Sequence, residues 1–422
     1  ISVAWAGRIK SSQYSVTNKE KERFWTGETT HPDYRVTTDW GAVDGYHHHC
    51  RFKGNNFVQN PPSASTVDAV KSPRNSGWFL ATMANRRAIT FLEKQAQVDP
   101  ERIGVYGMSM GGKLTVLLAG SDKRIKAAVP ACGGISNLYT QGGRLLAGVA
   151  DDSYLERITC PTIFMSPAND FHGKVEDLPG AVKRIKTDDW RIVSSPNVNH
   201  SDNAEYSAGG MLWFEQYLKG AFKLPATPKG ELNLKTDNHV PVLTVEPDQS
   251  KKVVAVDVYY TVNEKSKPAE RLWRKASSTN KDGVWTAVLP IANLNNSLWA
   301  YADVTYELEK PITGVGYSGR RFETGKYHLA SVVQMVTAGE LQKSGVKATL
   351  LPVEVLESFK NGWKGWTKDP QFHRFSKRLF KLPEYRAPSE DAMLAVDVRS
   401  EKSNQLIIAI DHHVAVVEVK GG

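Results

Sequence analysis

Over residues 1–228, short continuous apolar runs alternate with stretches whose apolar residues recur every three or four positions. The runs are "IGVYG" (103–107), "IKAAVPA" (125–131), "CPTIFMSP" (160–167) and "WRIVSSP" (190–196). Runs that are apolar throughout, without a polar residue at every second position, predict strands buried on both faces, as in a parallel sheet. The longest intervening stretch, "SPRNSGWFLATMANRRAITFLEKQAQ" (72–97), places Leu80, Met83, Ala84, Ala88, Phe91 and Leu92 on one helical stripe. A second helix is predicted from about residue 111. Strands separated by helices give an α/β fold with helices on both faces of the sheet. "KLPATPKG" (223–230), with two prolines and a glycine, then breaks the pattern and predicts a linker.

Beyond the linker the pattern turns to β-structure. "KKVVAVDVYYTV" (251–262), "GVWTAVLPI" (283–291) and "LWAYADVTYEL" (298–308) are rich in β-branched and aromatic residues and bounded by turn formers. They predict an immunoglobulin-like β-sandwich over residues 229–345, with Trp273, Trp285 and Trp299 in its core. From 346 a further unit opens with "LPVEVLESFKNGWKGWTK" and closes with "LAVDVR", "LIIAID" and "VAVVEVKGG". That is only four or so strands, where a jelly roll takes about eight. A partial jelly roll over 346–422, its open edge unfinished or covered elsewhere, is the expectation.

The bulk numbers narrow this picture. At 422 residues the chain is too long for one ordinary core. No apolar run approaches the roughly 18 residues of a membrane-spanning helix, and no charged-then-apolar leader stands at Ile1. The formal charge of +9 comes from scattered Lys and Arg with no groove-reading motif, so nucleic acid is not expected as a partner. Mild attraction to acidic surfaces such as uronate-bearing polysaccharides suits that charge better, and a merely solvated basic exterior is the plainer reading still. Of the three cysteines, Cys132 and Cys160 sit beside apolar runs and are expected as core thiols. "HHHC" (47–50), which ends in Cys50, is not read as a metal site, because adjacent side chains cannot all face one ion. No metal or cofactor is called for.

The chemistry centres on Gly107-Met108-Ser109-Met110-Gly111, a G-x-S-x-G pattern with a strand before it and a helix after it. Such a turn holds the serine hydroxyl clear of the sheet, and it needs small residues at 107 and 111 where strand and helix pass closely. The following helix points its N–H groups and positive dipole end at the site, making the backbone N–H of Met110 an oxyanion donor. Serine alone is a poor nucleophile, so an acid and a base must follow in that order. Asp170, in "ANDFHG" after the strand 160–167, is the acid candidate, because functional residues collect at the C-terminal ends of strands in open α/β sheets. A turn-forming aspartate is the plainer alternative there, and Asp152, Glu176 and Asp177 lie farther from a strand end. His200, in the polar loop before the last helix of this half, is the base candidate. His172 is a rival base or a substrate contact.

The stretches "DWGAVD" (39–44), 72–95, "VDPERIGVYGMSMGGKLT" (98–115), "PACGGISN" (130–137) and "SPANDFHG" (166–173) resemble the acetyl-xylan-esterase and dienelactone-hydrolase-like branch of the α/β-hydrolase superfamily, over roughly residues 1–222. The resemblance implies a secreted bacterial carbohydrate esterase, periplasmic or extracellular, with Ser109 as nucleophile, Asp170 as acid and His200 as base. Trp5 and Trp40, in "ISVAWAGR" and "DWGAVD", are further candidate substrate contacts. Such hydrolases carry an upstream "HGGG"-like loop that supplies a second oxyanion donor. "ISVAWAGR" is similar to the strand after that loop, so a missing N-terminal segment or a second chain is expected to complete the sheet. "LESFKNGWKGWTK" resembles the opening of galactose-binding-like modules, where Trp363 and Trp366 would stack on sugar rings or else serve as core and rim. The substrate expected is an acylated polysaccharide. A feruloyl or polyester hydrolase, a peptidase, or an inactive carbohydrate- or protein-binding scaffold remain the alternatives.

Overall fold

The structure, a computed structural model, describes residues 2–3, 77–96, 98–136, 148–262, 268, 271–316, 321–349, 357–360, 362–364, 366–369, 374–377, 396–410 and 413–422. The chain forms two compact units, Ile1–Tyr385 and Arg386–Gly422.

In the first unit a five-stranded sheet runs in the order β1 (Ser2–Val3), β2 (Gly104–Met108), β3 (Ala127–Ala131), β4 (Thr162–Met165) and β5 (Trp190–Val193), every pair parallel. The strands β2 to β5 are the four apolar runs, trimmed at their ends. Around them lie helices α1 (Gly77–Glu93), α2 (Met110–Ala119), α3 (Asp151–Leu155), α4 (Leu178–Arg184) and α5 (Ala204–Phe214). This is the α/β-hydrolase arrangement, with each strand feeding a helix that returns over the sheet.

Helix α1 turns inward a face that only partly overlaps the stripe its apolar spacing predicts: Leu92 and Ala88 pack inward, Met83 and Phe91 do not. Trp78, Ala81, Thr82, Asn85, Ile89 and Leu92 are buried, while Met83 and Phe91 are 38% and 53% exposed. The polar members of the inner stripe bury because they bond back to their own helix, Thr82 to the Trp78 carbonyl at 2.8 Å and Asn85 to that of Ala81 at 2.9 Å. Each polar group thus travels inward already satisfied.

The β-rich half pairs into two antiparallel sheets. One has the order β10 (Ser278–Lys281), β11 (Val284–Val288), β7 (Val242–Glu246), β6 (Lys229–Asn233), and the other the order β13 (Arg321–Ala330), β12 (Leu298–Val315), β8 (Val253–Thr261), β9 (Arg274–Ala276), with β14 (Gln334–Val336) also on β12. Strand β12 is covered on both faces. Ala300, Ala302, Val304 and Tyr306 share a core with Leu243, Val245 and Ala287 of the other sheet. Trp299 and Tyr301, one position out of phase, join Phe164 and Ile192 of the parallel sheet. Of the expected core tryptophans, Trp273 and Trp299 are buried and Trp285 is half-buried.

The two halves are therefore one body. Helix α5 lies between them, with Gly210 against Met165 and Val129 of the parallel sheet and Gly209 against Val193 and the His328 carbonyl of β13. It is not the amphipathic surface helix its position suggests: Tyr206, Ala208, Leu212 and Trp213 are all buried, because the sandwich takes the place of solvent on its outer side. The segment read as a linker is tied down as well. Arg191 Nε donates to the Pro225 carbonyl, Thr227 donates to that of Trp190 at 3.0 Å, and the Ala226 N–H donates to Asp248.

After β14 come α6 (Ala338–Lys343), with a capping box between Thr337 and Glu340, and a short ribbon of β15 (Thr367–Asp369) and β16 (Arg374–Ser376). The second unit contains an antiparallel ribbon of β17 (Asn404–Ile410) and β18 (His413–Val419). These carry the runs "LIIAID" and "VAVVEV", whereas the described part of "LAVDVR" is irregular.

Candidate active site

Ser109 stands between β2 and α2 at φ 60° and ψ −121°, a region L residues enter only under constraint. Two bonds fix the turn: the Ser109 N–H donates to the Ala131 carbonyl at 2.8 Å, and the Ser109 carbonyl accepts from the Lys113 N–H at 3.1 Å. A Cβ on Gly107 would sit 2.5 Å from the Gly111 carbonyl carbon, so strand and helix can pass this closely only with glycine there. The Ser109 hydroxyl makes no capping bond to its own helix. Met110 is the first residue of α2, where an N–H has no intrahelical acceptor.

Below the turn, Lys113 of α2 and Asp151 of α3 form a buried ion pair at 2.5 Å. The second Asp151 oxygen accepts from the Ser136 N–H at 3.2 Å, and Lys113 Nζ lies 5.2 Å from the centre of the Trp78 ring. The pair anchors α2, and with it the serine, to the helices beside it.

Asp170 and His200 follow β4 and β5, which lie beyond β3 on the same side of the serine strand. Asp170 is fully buried and His200 half-exposed, and His200 Nδ1 meets Asp170 Oδ2 at 2.8 Å. The other Asp170 oxygen accepts from the N–H groups of His172 (2.7 Å) and Gly173 (2.6 Å). Burial alone would raise the Asp170 carboxyl, but the bonds from His200, Gly173 and His172 outweigh it and hold the pKa below the usual carboxylate value. With Asp170 anionic, Nδ1 carries the shared proton and Nε2 is left as the basic nitrogen.

The acid loop reaches the serine turn by close backbone approach. A Cβ on Gly173 would lie 2.5 Å from the Gly133 nitrogen, and one on Gly133 would lie 2.5 Å from the Ser109 carbonyl oxygen and 2.8 Å from His172 Cε1. His172 thus packs beside the serine turn, its ring centre 6.3 Å from that of His200. Burial lowers its pKa more than Asp151 and Asp170 raise it, keeping the ring neutral at pH 7. Phe171, 57% exposed, rests 4.6 Å from the His200 ring and forms an apolar rim that the sequence reading did not single out.

The other acidic candidates are engaged elsewhere, Glu176 with Arg271 and Asp152 with Arg184 at 3.7 Å, or, like the half-buried Asp177, have a pKa raised by desolvation. Among the described residues, Cys132, Asp170 and His200 alone bring metal-type donors within 4.8 Å of one another. Cys132 is a poor ligand, because burial and the Asp170 charge hold it as the neutral thiol. Cys132 and Cys160 are both free and buried. Trp363 stacks on Phe375 at 4.1 Å and meets Trp366 edge-on at 5.2 Å, and Trp366 Nε1 donates to Glu357 at 3.2 Å. Trp5, Trp40 and Cys50 lie outside the described residues.

The fold and the serine turn define an α/β-hydrolase. Residues 53–221 match the Dienelactone hydrolase family, in keeping with a hydrolase domain in this part of the chain. A 55-residue stretch is 36% identical to the putative hydrolase YtaP of Bacillus subtilis (strain 168), covering 13% of this chain and 18% of that protein. The chain thus matches less than a fifth of that relative's length. Among solved structures, an acetyl xylan esterase from Paenibacillus sp. R4 superposes with TM-score 0.39 at 17% identity, over 51% of this chain and 74% of that one. Acetyl xylan esterase 1 from Thermoanaerobacterium sp. JW/SL YS485 does so with TM-score 0.34 at 13% identity, also over 51% and 74%.

Proposed function

We propose that this protein is a serine esterase that removes acyl groups, acetyl foremost, from a polysaccharide. The observation that carries the reading is the 2.8 Å bond joining Asp170 to His200 on the sheet edge where the strained Ser109 turn stands. His200 Nε2 takes the Ser109 proton as the oxygen attacks the ester carbonyl, and Asp170 steadies the imidazolium. The Met110 N–H donates to the oxyanion. Collapse of the tetrahedral intermediate expels the sugar oxygen, which leaves with the proton from His200. Water, deprotonated by the same nitrogen, attacks the acyl carbon and releases the acid and free Ser109.

His172 and Phe171 flank the reacting carbonyl in this reading. Residues 1–228 carry the chemistry, 229–345 brace it, and 346–422 bear on the polymer. The enzyme works in the periplasm or outside the cell, and among the described residues no helix is long and apolar enough to cross a membrane. The test is acetate release from acetylated xylan together with fluorophosphonate labelling of Ser109. Release and labelling by the parent chain, both absent in Ser109→Ala, support the reading. A parent chain that neither labels nor releases acetate, or a Ser109→Ala variant as active as the parent, overturns it.

A further inference from the structure

The loops that carry Asp170 and His200 are gripped from the sandwich side by a single short segment, Arg271 to Trp273. Asn169, next to the acid, donates its amide to the carbonyls of Arg271 (2.6 Å) and Pro268 (2.8 Å). The indole N–H of Trp273 donates to the Ala168 carbonyl at 3.3 Å. On the base loop, Asn197 accepts from the Trp273 N–H at 2.9 Å and donates to the Trp273 carbonyl at 3.0 Å. One side-chain amide thus pairs with both backbone groups of one residue, as a neighbouring strand would. Asn197 does so at φ 54°, a conformation asparagine tolerates better than most residues.

The segment itself is held firmly. The Arg271 guanidinium makes two bonds of 2.7 Å to Glu176 and lies 4.6 Å over the Trp299 ring. The Trp273 ring is buried and edge-on to Tyr301 at 5.0 Å. The two loops are also joined to each other, through Ala168 N–H to the Ser195 carbonyl (3.0 Å) and Asn169 N–H to that of Val198 (3.1 Å). A shift of Trp273 therefore moves acid and base together, while the serine turn has bonds of its own to β3 and α2.

We propose that Trp273, Asn169 and Asn197 are positioning residues, and that through them the β-sandwich sets the placement of the Asp170–His200 pair against Ser109. The proposal rests on the reading of Ser109, Asp170 and His200 as a catalytic triad. Misplacement by about 1 Å costs on the order of 10²-fold in rate, so the effect is large enough to read.

The test uses the full chain with Asn197→Gly, which keeps the backbone conformation and loses both bonds, Asn197→Asp, which keeps the acceptor, and Trp273→Phe, which keeps the ring and loses the indole bond. Each is assayed for kcat and KM on a chromogenic acetyl ester, for unfolding midpoint, and for amide hydrogen exchange over 166–173 and 195–203. Asn197→Gly is expected to lower kcat roughly ten- to a hundredfold with KM within about twofold, and to speed exchange in both loops. Asn197→Asp recovers part of that loss. Trp273→Phe and Asn197→Gly together lose less than the product of their separate effects, as groups acting on one element do. A kcat within about twofold of the parent, faster exchange confined to 195–203, or additive effects would overturn the proposal. If the parent chain neither labels nor hydrolyses, the triad reading has failed, and exchange in both loops still reports whether the grip is real.

Discussion

A serine at φ 60° and ψ −121° is kept there by its surroundings, and its hydroxyl is not drawn into capping the helix that follows. Ser109→Ala is expected to lower ester hydrolysis by roughly 10⁴-fold or more while leaving the unfolding midpoint near that of the parent, as enzyme assay and thermal melting would show. His172 supplies a second prediction. Its folded pKa lies below the ordinary 6.5, so the unfolded chain takes up the proton first as pH falls. His172 thus contributes stability in full above pH 6.5 and loses it between there and the lower folded value. Unfolding midpoints from pH 7 to 5 should drop more for the parent than for His172→Gln. That Ser109, Asp170 and His200 each follow a strand of one sheet was legible from the apolar runs before them, because position after a strand is a local property. Asn169, Asn197 and Trp273 were not, since Trp273 meets the two loops from 76 and 105 residues away along the chain.

Among elements, α2 depends on a buried ion pair. Asp151→Asn leaves Lys113 buried beside a neutral amide and is expected to cost about 3–5 kcal/mol, read as a lower denaturation midpoint, while a paired Lys113→Leu and Asp151→Leu change recovers much of it. Trp213→Ala in α5 removes a fully buried indole and should cost about 3–5 kcal/mol in the same measurement. Strands β2 to β5 could be read from uninterrupted apolar runs, which only doubly covered strands produce. The inward face of α1 could not, because Thr82 and Asn85 hide their polarity in bonds to the helix itself. Nor could the two-sided burial of α5, whose outer partner β13 is encoded far downstream.

At the scale of the molecule, the β-sandwich is a wall of the hydrolase core. Its sheet β13-β12-β8-β9 covers α5, and its Arg271–Trp273 segment meets both loops at the sheet edge. A chain stopped at Pro228 bares the outer side of α5 and the apolar surface around Phe164 and Ile192. It is expected to aggregate or to bind hydrophobic dyes strongly, measured by sedimentation and dye fluorescence. Composition and strand patterning disclosed that antiparallel β-structure follows residue 228. That it closes the core in front of it depends on contacts between distant segments, which no local pattern encodes.

The wedging of α5 between β5 and β13 has a consequence for the newborn chain. A ribosome delivers Phe214 long before it delivers Arg321, and until then the helix has half its walls. The first half of the protein must wait, partly assembled and sticky, for a strand still being translated, so folding during synthesis cannot finish domain by domain. By the same logic, an unrelated module put in the place of the sandwich would leave the outer side of α5 uncovered.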